Sequence, residues 1–523
     1  MITTVAWIPR GAARERPLRF ELSKEEYKEL RVAAAKEKLG EGTPAPSDDV
    51  DAAASMEEGE EGGHEDEGSD DEDDQELNVD GFMGGLDVVD DEEAFDLMEY
   101  GENALATNAY DEDEEEDQED DQIKPTDACV CVAMSDEEYS HLEVQLYAED
   151  GTLFVHHDII LPDMPLCLAW LDCPPFKDAQ GGQSECGNYM AVGTMSPAIE
   201  IWNLDVMDPL EPTATLGGMS TDKKPAKDKK GKGKKGGKAP KDNGMKPGSH
   251  MDAVMALSWN KSYRQALASG SADESVKVWD VTSQACLHTF THHSDKVQCV
   301  AWHPNNAWLL ATGSFDNTVG LLDCRTDGSN AKKIPIGADI EDMLWDPFNN
   351  NLIFCSLENG LVSCIDIRQP GSALYSWQAH DACTSSLSFS PLVPSMLVTG
   401  SQDETVKVWD TASAPEPKCV AYKSMAAGAL FSVQYFTNEP FLMAAGGDGG
   451  VLALWESESQ EEIAQHFKGR VQMSGPVSGT DVQLGAGEGE GEEGGADEDE
   501  DEEDMETEEV VQKPKAKKGG KKR

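Results

Sequence analysis

Between residues 165 and 466, short runs of apolar residues alternate with polar ones at a period of two and are broken by Gly, Asp, Ser and Asn. That is the pattern of half-buried strands joined by tight turns. Six of the runs end alike: IEIWNLD, VKVWDV, VGLLDC, VSCIDI, VKVWDT and LALWES, with key positions Trp202, Trp279, Leu322, Ile365, Trp409 and Trp455. From Trp279 onward the spacings are 43, 43, 44 and 46. A second series precedes the first in each unit. LCLAW, MALSW, QCVAW, EDMLW, SLSF and FSVQY end at Trp170, Trp259, Trp302, Trp345, Phe389 and Tyr435, and from Trp259 the spacings are again 43, 43, 44 and 46. Two markers that drift in step define an internal repeat. Its period of about 40–45 residues predicts four-stranded units, each unable to bury its apolar faces alone.

The turns between strands carry further chemistry. His250, His293 and His380 each stand nine residues before the aromatic of the second series, and Asp273, Asp316 and Asp403 occupy tight turns. A histidine, a strand hydroxyl, a turn aspartate and a tryptophan at this spacing can form one hydrogen-bonded chain, which is stable when buried only if every member is satisfied. The expected sets are His250, Ser269, Asp273 and Trp279, and His380, Thr399, Asp403 and Trp409. A third set keeps His293 and Asp316 but has Leu322 in place of tryptophan, so it reads as truncated. These histidines read as structural, not as catalytic bases or metal ligands.

The fold expected is all-β: a WD-repeat β-propeller of seven blades with long disordered acidic and lysine-rich segments. Residues 165–216, 253–290, 297–336, 340–377, 383–422 and 430–466 supply six blades. TTVAW at residues 3–7 resembles a blade-opening strand, and DACVCVAM, HLEVQLYA and TLFVHHDII supply three more strands. Together they complete a first blade around a looped-out segment. A long insertion is tolerable because closure entropy grows only logarithmically with its length. Seven blades close a ring. The expected organisation is therefore a first strand within 1–20, a short helix in 21–40, an acidic insertion over 41–122, blades one and two over 123–216, a lysine-rich linker over 217–249, blades three to seven over 250–470 and a charged tail over 471–523.

Charge separates the ring from what hangs off it. The chain has 523 residues, with Asp+Glu 102 against Lys+Arg 42 and a formal net charge of −60. Most of the acid lies in 57–121 and 486–509, which have too little apolar surface to offset chain entropy and are expected to stay disordered. Residues 22–39 read as a helix with Ser23 and Glu26 as a capping box and Leu22 and Tyr27 as a staple. Residues 81–100 mix Phe82, Leu86, Phe95 and Tyr100 with acids, as a motif that folds on binding does. Ser55 and Ser69, each with an acid three residues on, suit an acid-directed kinase and are candidate phosphorylation sites. Two lysine blocks interrupt the acidic background. One contains Lys223, Lys224, Lys229, Lys230, Lys234 and Lys235, the other Lys517, Lys518, Lys521 and Lys522. Flexible lysines neutralise phosphates without reading sequence, so the blocks suit RNA binding or nuclear import. No aromatic interleaves them, which argues against base stacking there.

Other classes find no support. There is no P-loop, no dinucleotide glycine motif opening a helix, no G-x-S-x-G and no H-E-x-x-H. The 12 cysteines sit mostly in apolar strand-like runs without a CxxC pair, and read as reduced core residues of an intracellular protein. No cofactor and no small-molecule substrate are expected. No run approaches the roughly 18 apolar residues that span a bilayer, and the N-terminus lacks a secretory signal pattern.

With these features laid out, the chain resembles the periodic tryptophan protein 1 family, a WD-repeat family. The resemblance runs from about residue 3 to about residue 470 and is carried by TTVAWIPRG, LSKEEYKEL, IKPTDACVCVA, VHHDIILPDMPLCLAWL and GNYMAVGTMSPAIEIWNLDVMDPLEPTATLG, the last followed by a lysine block and HMDAVMALSWNK. It implies a non-enzymatic protein of the nucleus and nucleolus acting in ribosome production. Its partners would be pre-ribosomal proteins and rRNA, with a role in large-subunit assembly and precursor-RNA processing. Association with ribosomal-DNA chromatin is also implied. After about residue 470 the chain departs from the family pattern, and no binding residue is carried over. An alternative is a histone-binding chromatin factor that regulates transcription, and a third reading is a substrate receptor of a ubiquitin ligase.

Overall fold

The structure, a computed structural model, describes residues 1–19, 122–136, 139–176, 186–219, 244–326, 328 and 331–472. The helix expected over 22–39, the motif of 81–100 and both lysine blocks lie outside these residues. The described strands form a seven-bladed propeller. The first blade is built from Ile2–Ile8, Ala128–Ser135, Ser140–Tyr147 and Leu153–Leu161, paired in that order. The second uses Pro165–Leu171, Tyr189–Thr194, Ala198–Asn203 and Ala214–Gly217. The inner strands of blades three to seven are Val254–Trp259, Val297–Trp302, Ile340–Trp345, Thr384–Phe389 and Leu430–Tyr435.

Blades stack face to face, so a strand in mid-blade is covered on both sides. Tyr189–Thr194, Ala266–Ser271, Met396–Ser401 and Leu442–Gly447 are buried at every position. Their sequences, such as ALASGS and LMAAGG, are accordingly small and apolar without strict alternation. The glycine in these strands answers to packing. A Cβ on Gly270 would lie 2.8 Å from Val297 Cγ1, and one on Gly313 2.9 Å from Ile340 Cγ2. Val297 and Ile340 belong to the inner strand of the next blade, and at Gly313 Cys299 Sγ of the same blade stands closer still, which leaves no room for a side chain at either glycine.

Neighbouring inner strands are also joined by hydrogen bonds. Trp302 Nε1 donates to Ser258 O at 3.1 Å, Trp345 Nε1 to Ala301 O at 3.1 Å and Trp7 Nε1 to Gln434 O at 3.0 Å. The last bond closes the ring. Strand Ile2–Ile8 lies between blade seven on one side and Pro165–Leu171 of blade two on the other, and its Val5 N–H donates to Ser432 Oγ at 3.2 Å.

Blade seven departs from the four-stranded rule. It has three strands, Leu430–Tyr435, Leu442–Gly447 and Ala453–Glu456, followed by a short helix at Glu461–Phe467. The expected unit of 430–466 therefore ends in helix. The reason lies in SESQEEIAQHF: Glu461 and Glu462 favour a helix N-terminus. Ile463 and Phe467, four residues apart, share one face and are fully buried. That face packs into the core between blades six and seven with Val393, Ala421 and Trp455.

If Ile2–Ile8 closes the ring, Trp7→Ala removes a buried aromatic from the closing joint. The expected loss is about 3–5 kcal/mol of stability, by analogy with buried aromatic truncations, read from denaturant unfolding of the full chain. Wild-type stability in this variant would show that the closure lies elsewhere.

Candidate functional site

The residues singled out from the turns meet in space. In blade three, His250 Nδ1 lies 3.0 Å from Asp273 Oδ2 and His250 Nε2 lies 2.7 Å from Ser269 Oγ, while Trp279 Nε1 donates to the same hydroxyl at 2.9 Å. Blade six repeats this, with His380 to Asp403 at 2.9 Å, His380 to Thr399 at 2.7 Å and Trp409 to Thr399 at 3.0 Å. One proton arrangement satisfies every member. The neutral imidazole donates Nδ1–H to the carboxylate and accepts the hydroxyl proton at Nε2, and the hydroxyl oxygen accepts the indole N–H.

Blade four solves the same problem differently. His293 lies 3.0 Å from Asp316 and 2.8 Å from Thr312 Oγ1. Leu322, fully buried, offers no donor. The preceding residue takes over: His292 Nε2 lies 3.0 Å from Thr312 Oγ1, where its N–H replaces the missing indole donor. The network expected to be truncated is therefore complete on the hydroxyl. Thr312 stands ten residues before Leu322, as Ser269 and Thr399 stand before Trp279 and Trp409, so its position was readable. The substitution of His292 for an indole was not, because it crosses the repeat register.

Burial sets the electrostatics. It lowers the pKa of His250, His293 and His380, against the opposing pull of Asp273, Asp316 and Asp403. His292 is pushed down to about 3 by burial, with the charges of His293 and Lys333 adding to it. For the aspartates burial acts upward, but their hydrogen bonds and the neighbouring histidines overcome it and leave all three below the usual carboxylate range. The side chains of His250, His293 and His380 are 0% exposed. No substrate can reach them, so they can brace the blade but cannot act as general bases.

The central channel holds a further cavity, of about 390 Å³. Each inner strand carries a bulge after its first residue. The extra residue of each, namely Thr3, Leu166, Met255, Gln298, Glu341, Ser385 and Phe431, lines the channel. This lining has no repeated chemistry. Its second carboxylate, Asp342, accepts N–H bonds from Leu387 at 2.8 Å and Met343 at 2.7 Å and is raised in pKa by burial. Asp342 thus ties blade five to blade six. Among the described residues no group of three or more His, Cys, Asp or Glu is placed to hold a metal ion, and no helix is long and apolar enough to cross a membrane.

The candidate lysines of 223–235 and 517–522, and Ser55 and Ser69, fall outside the described residues, but their flanks are informative. Antiparallel strands put the connection from first to second strand on one face of the ring and the connection between blades on the other. Arg19 and Gln122 flank the acidic insertion on the first face, where Ile123 N–H donates to Glu15 O at 2.9 Å. Met219 and Met245 flank the lysine-rich segment on the opposite face, where they form a β-bridge. Gln472, whose N–H donates to Leu392 O, ends the described chain on the acidic side.

A closed ring of β-blades, three of them braced by this histidine–aspartate–hydroxyl network, defines a WD-repeat propeller protein. The family model described as WD domain, G-beta repeat matches residues 246–280, 284–323 and 371–410. These stretches contain the three networks. An uncharacterised WD repeat-containing protein of Schizosaccharomyces pombe is 37% identical, with 90% of this chain and 92% of that protein covered. Periodic tryptophan protein 1 of Saccharomyces cerevisiae is 30% identical over 90% of each chain. The periodic tryptophan protein 1 homolog of Drosophila melanogaster is 30% identical over 86% of this chain and 92% of its own. The chain belongs to the periodic tryptophan protein 1 family.

The depressed histidines set a pH dependence. His250, His292, His293 and His380 are neutral in the fold but titrate near about 6.5 once unfolded. Below that pH the unfolded chain takes up protons that the folded one does not. Stability is thus fully present above about pH 6.5 and declines as pH falls toward the folded values, before the carboxylates titrate near about 4. Melting temperatures measured from neutral to mildly acidic pH should fall accordingly. His292→Gln, which keeps an N–H for Thr312 but cannot titrate, should give a shallower slope. Identical slopes for variant and wild type would refute this account of His292.

Proposed function

We propose that this chain is a non-enzymatic scaffold of ribosome biogenesis, assembling large-subunit precursors and supporting pre-rRNA processing in the nucleolus. The family relationship over about nine-tenths of the chain supports the setting. One observation carries the scaffold reading. The histidines of the three blade networks are sealed inside the described ring, while the flanks of the acidic insertion and of the first lysine-rich segment lie on opposite faces. A ring braced from within, with an acidic and a lysine-rich segment anchored on opposite faces, is suited to bringing unlike macromolecules together. The lysine blocks at 223–241 and 513–523 supply phosphate neutralisation, and the acidic segments supply attraction for basic proteins.

Gradient sedimentation of nuclear extract, with and without RNase, tests the proposal. Co-migration with large-subunit precursors that collapses on RNase treatment is the expected result. Migration with nucleosomes regardless of RNase would overturn it in favour of a chromatin role in which the acidic arms engage histones.

A further inference from the structure

The face that carries the first-to-second and third-to-fourth strand connections presents two large aromatic side chains side by side. Tyr263, from the loop after Val254–Trp259 in blade three, is 46% exposed, and Trp308, from the corresponding loop of blade four, is 47% exposed. Their rings are stacked, with centroids 6.3 Å apart and planes 28° apart. Stray exposed apolar residues need no explanation, but two large rings held in register do.

The holding is specific. Asn260, almost fully buried, accepts the N–H groups of Ser262 and Tyr263 at 3.1 and 2.9 Å through Oδ1 and donates its amide to Ala307 O at 2.8 Å. One side chain therefore fixes both loops against each other. Cys324 N–H donates to Trp308 O at 2.9 Å, so Arg325 follows one residue after a backbone bond to the Trp308 loop. Arg325 grips Asp323 through Nε at 2.9 Å and Nη2 at 2.6 Å, which leaves Nη1 outside the pair, and its side chain is 62% exposed. Arg368 repeats the arrangement one blade on, gripping Asp366 and 63% exposed. A rigid aromatic pair with two preoriented guanidinium groups on the same face of the ring supplies the kinds of group that hold a single nucleic-acid strand: rings for the base faces, outward N–H groups for the phosphates.

We propose that Tyr263 and Trp308, with Arg325 and Arg368 on the same face of the ring, form a stacking platform for unpaired bases of RNA. The proposal deepens the ribosome-assembly reading and rests on it for the class of polymer. It assigns base contact to the ring itself, separately from the lysine blocks, which meet only phosphates.

The test is fluorescence polarisation of the purified full chain with a labelled RNA of about twelve nucleotides, within the usual site size of single-strand binders, against an abasic strand of equal length. The lysine blocks do not distinguish the two strands, and a stacking platform does. Wild-type protein is expected to bind the base-bearing strand more tightly, on the order of tenfold per stacked base. The Tyr263→Leu/Trp308→Leu variant should lose that difference, and Trp308→Phe should keep most of it. Equal preference in the leucine variant and the wild type, as expected if the patch seats a protein segment, overturns the proposal. Photo-cross-linking of wild-type protein to 5-iodouridine RNA does not depend on the variants folding. Adducts on Tyr263 or Trp308 support the platform, and adducts confined to other residues overturn it. Co-sedimentation with large-subunit precursors without base-dependent binding removes the platform alone. Base-dependent binding without co-sedimentation removes the assembly role and keeps the platform.

Discussion

The whole ring depends on one joint, the seating of strand Ile2–Ile8 between blades seven and two. A propeller blade is stable because both of its faces are covered by neighbours, so an open ring would leave two apolar faces in water. Here the closing strand belongs to the first blade, but its partners begin 120 residues later at Ala128. The joint is made specific by the same devices that join the other blades. Trp7 bonds to the inner strand of blade seven as Trp302 and Trp345 bond to their own neighbours. A Cβ on Gly446 would run into Ile2 as one on Gly270 would run into Val297. The two tryptophan series thus do different work. Trp302 and Trp345 of one fasten inner strand to inner strand, and the other, at Trp279 and Trp409, fastens the third strand to the second through a buried hydroxyl.

Much of this was legible because both tasks need the same atoms at the same place in every blade. Strand alternation marked the blades, and Trp279, Ser269 and His250 could be joined from spacing alone. Where a blade meets the requirement with other atoms, spacing fails. Leu322 signalled a gap, yet the donor that fills it, His292, lies outside the repeat position. The end of blade seven was misread for a related reason. A repeat predicts a fourth strand, whereas Ile463 and Phe467 are spaced for a helical face, and the helix prevails because the core between blades six and seven accepts that face. The glycine of the second strand also escaped notice, since nothing local to a strand reveals that another backbone passes within a side chain's reach.

The stacking pair was the least legible feature. Tyr263 and Trp308 are 45 residues apart and are not at equivalent positions after Trp259 and Trp302, so no repeat marker links them. They meet because the bond from Asn260 to Ala307 draws two loops of adjacent blades together. A lysine run announces itself in a sequence. A platform assembled from two loops is visible only once the blades have stacked.

Charge then decides how such a platform works. A formal net charge of −60 repels RNA at long range, so the protein cannot gather RNA as a basic protein does. At physiological ionic strength that repulsion is screened beyond roughly 8 Å, and contacts shorter than this decide affinity. Stacking depends little on salt, and each platform arginine keeps its carboxylate partner at hand, so the site needs no net positive field. Such a site does not sweep nucleic acid from solution. It holds a strand delivered by other means, whether by the lysine blocks or by a larger assembly that already contains both.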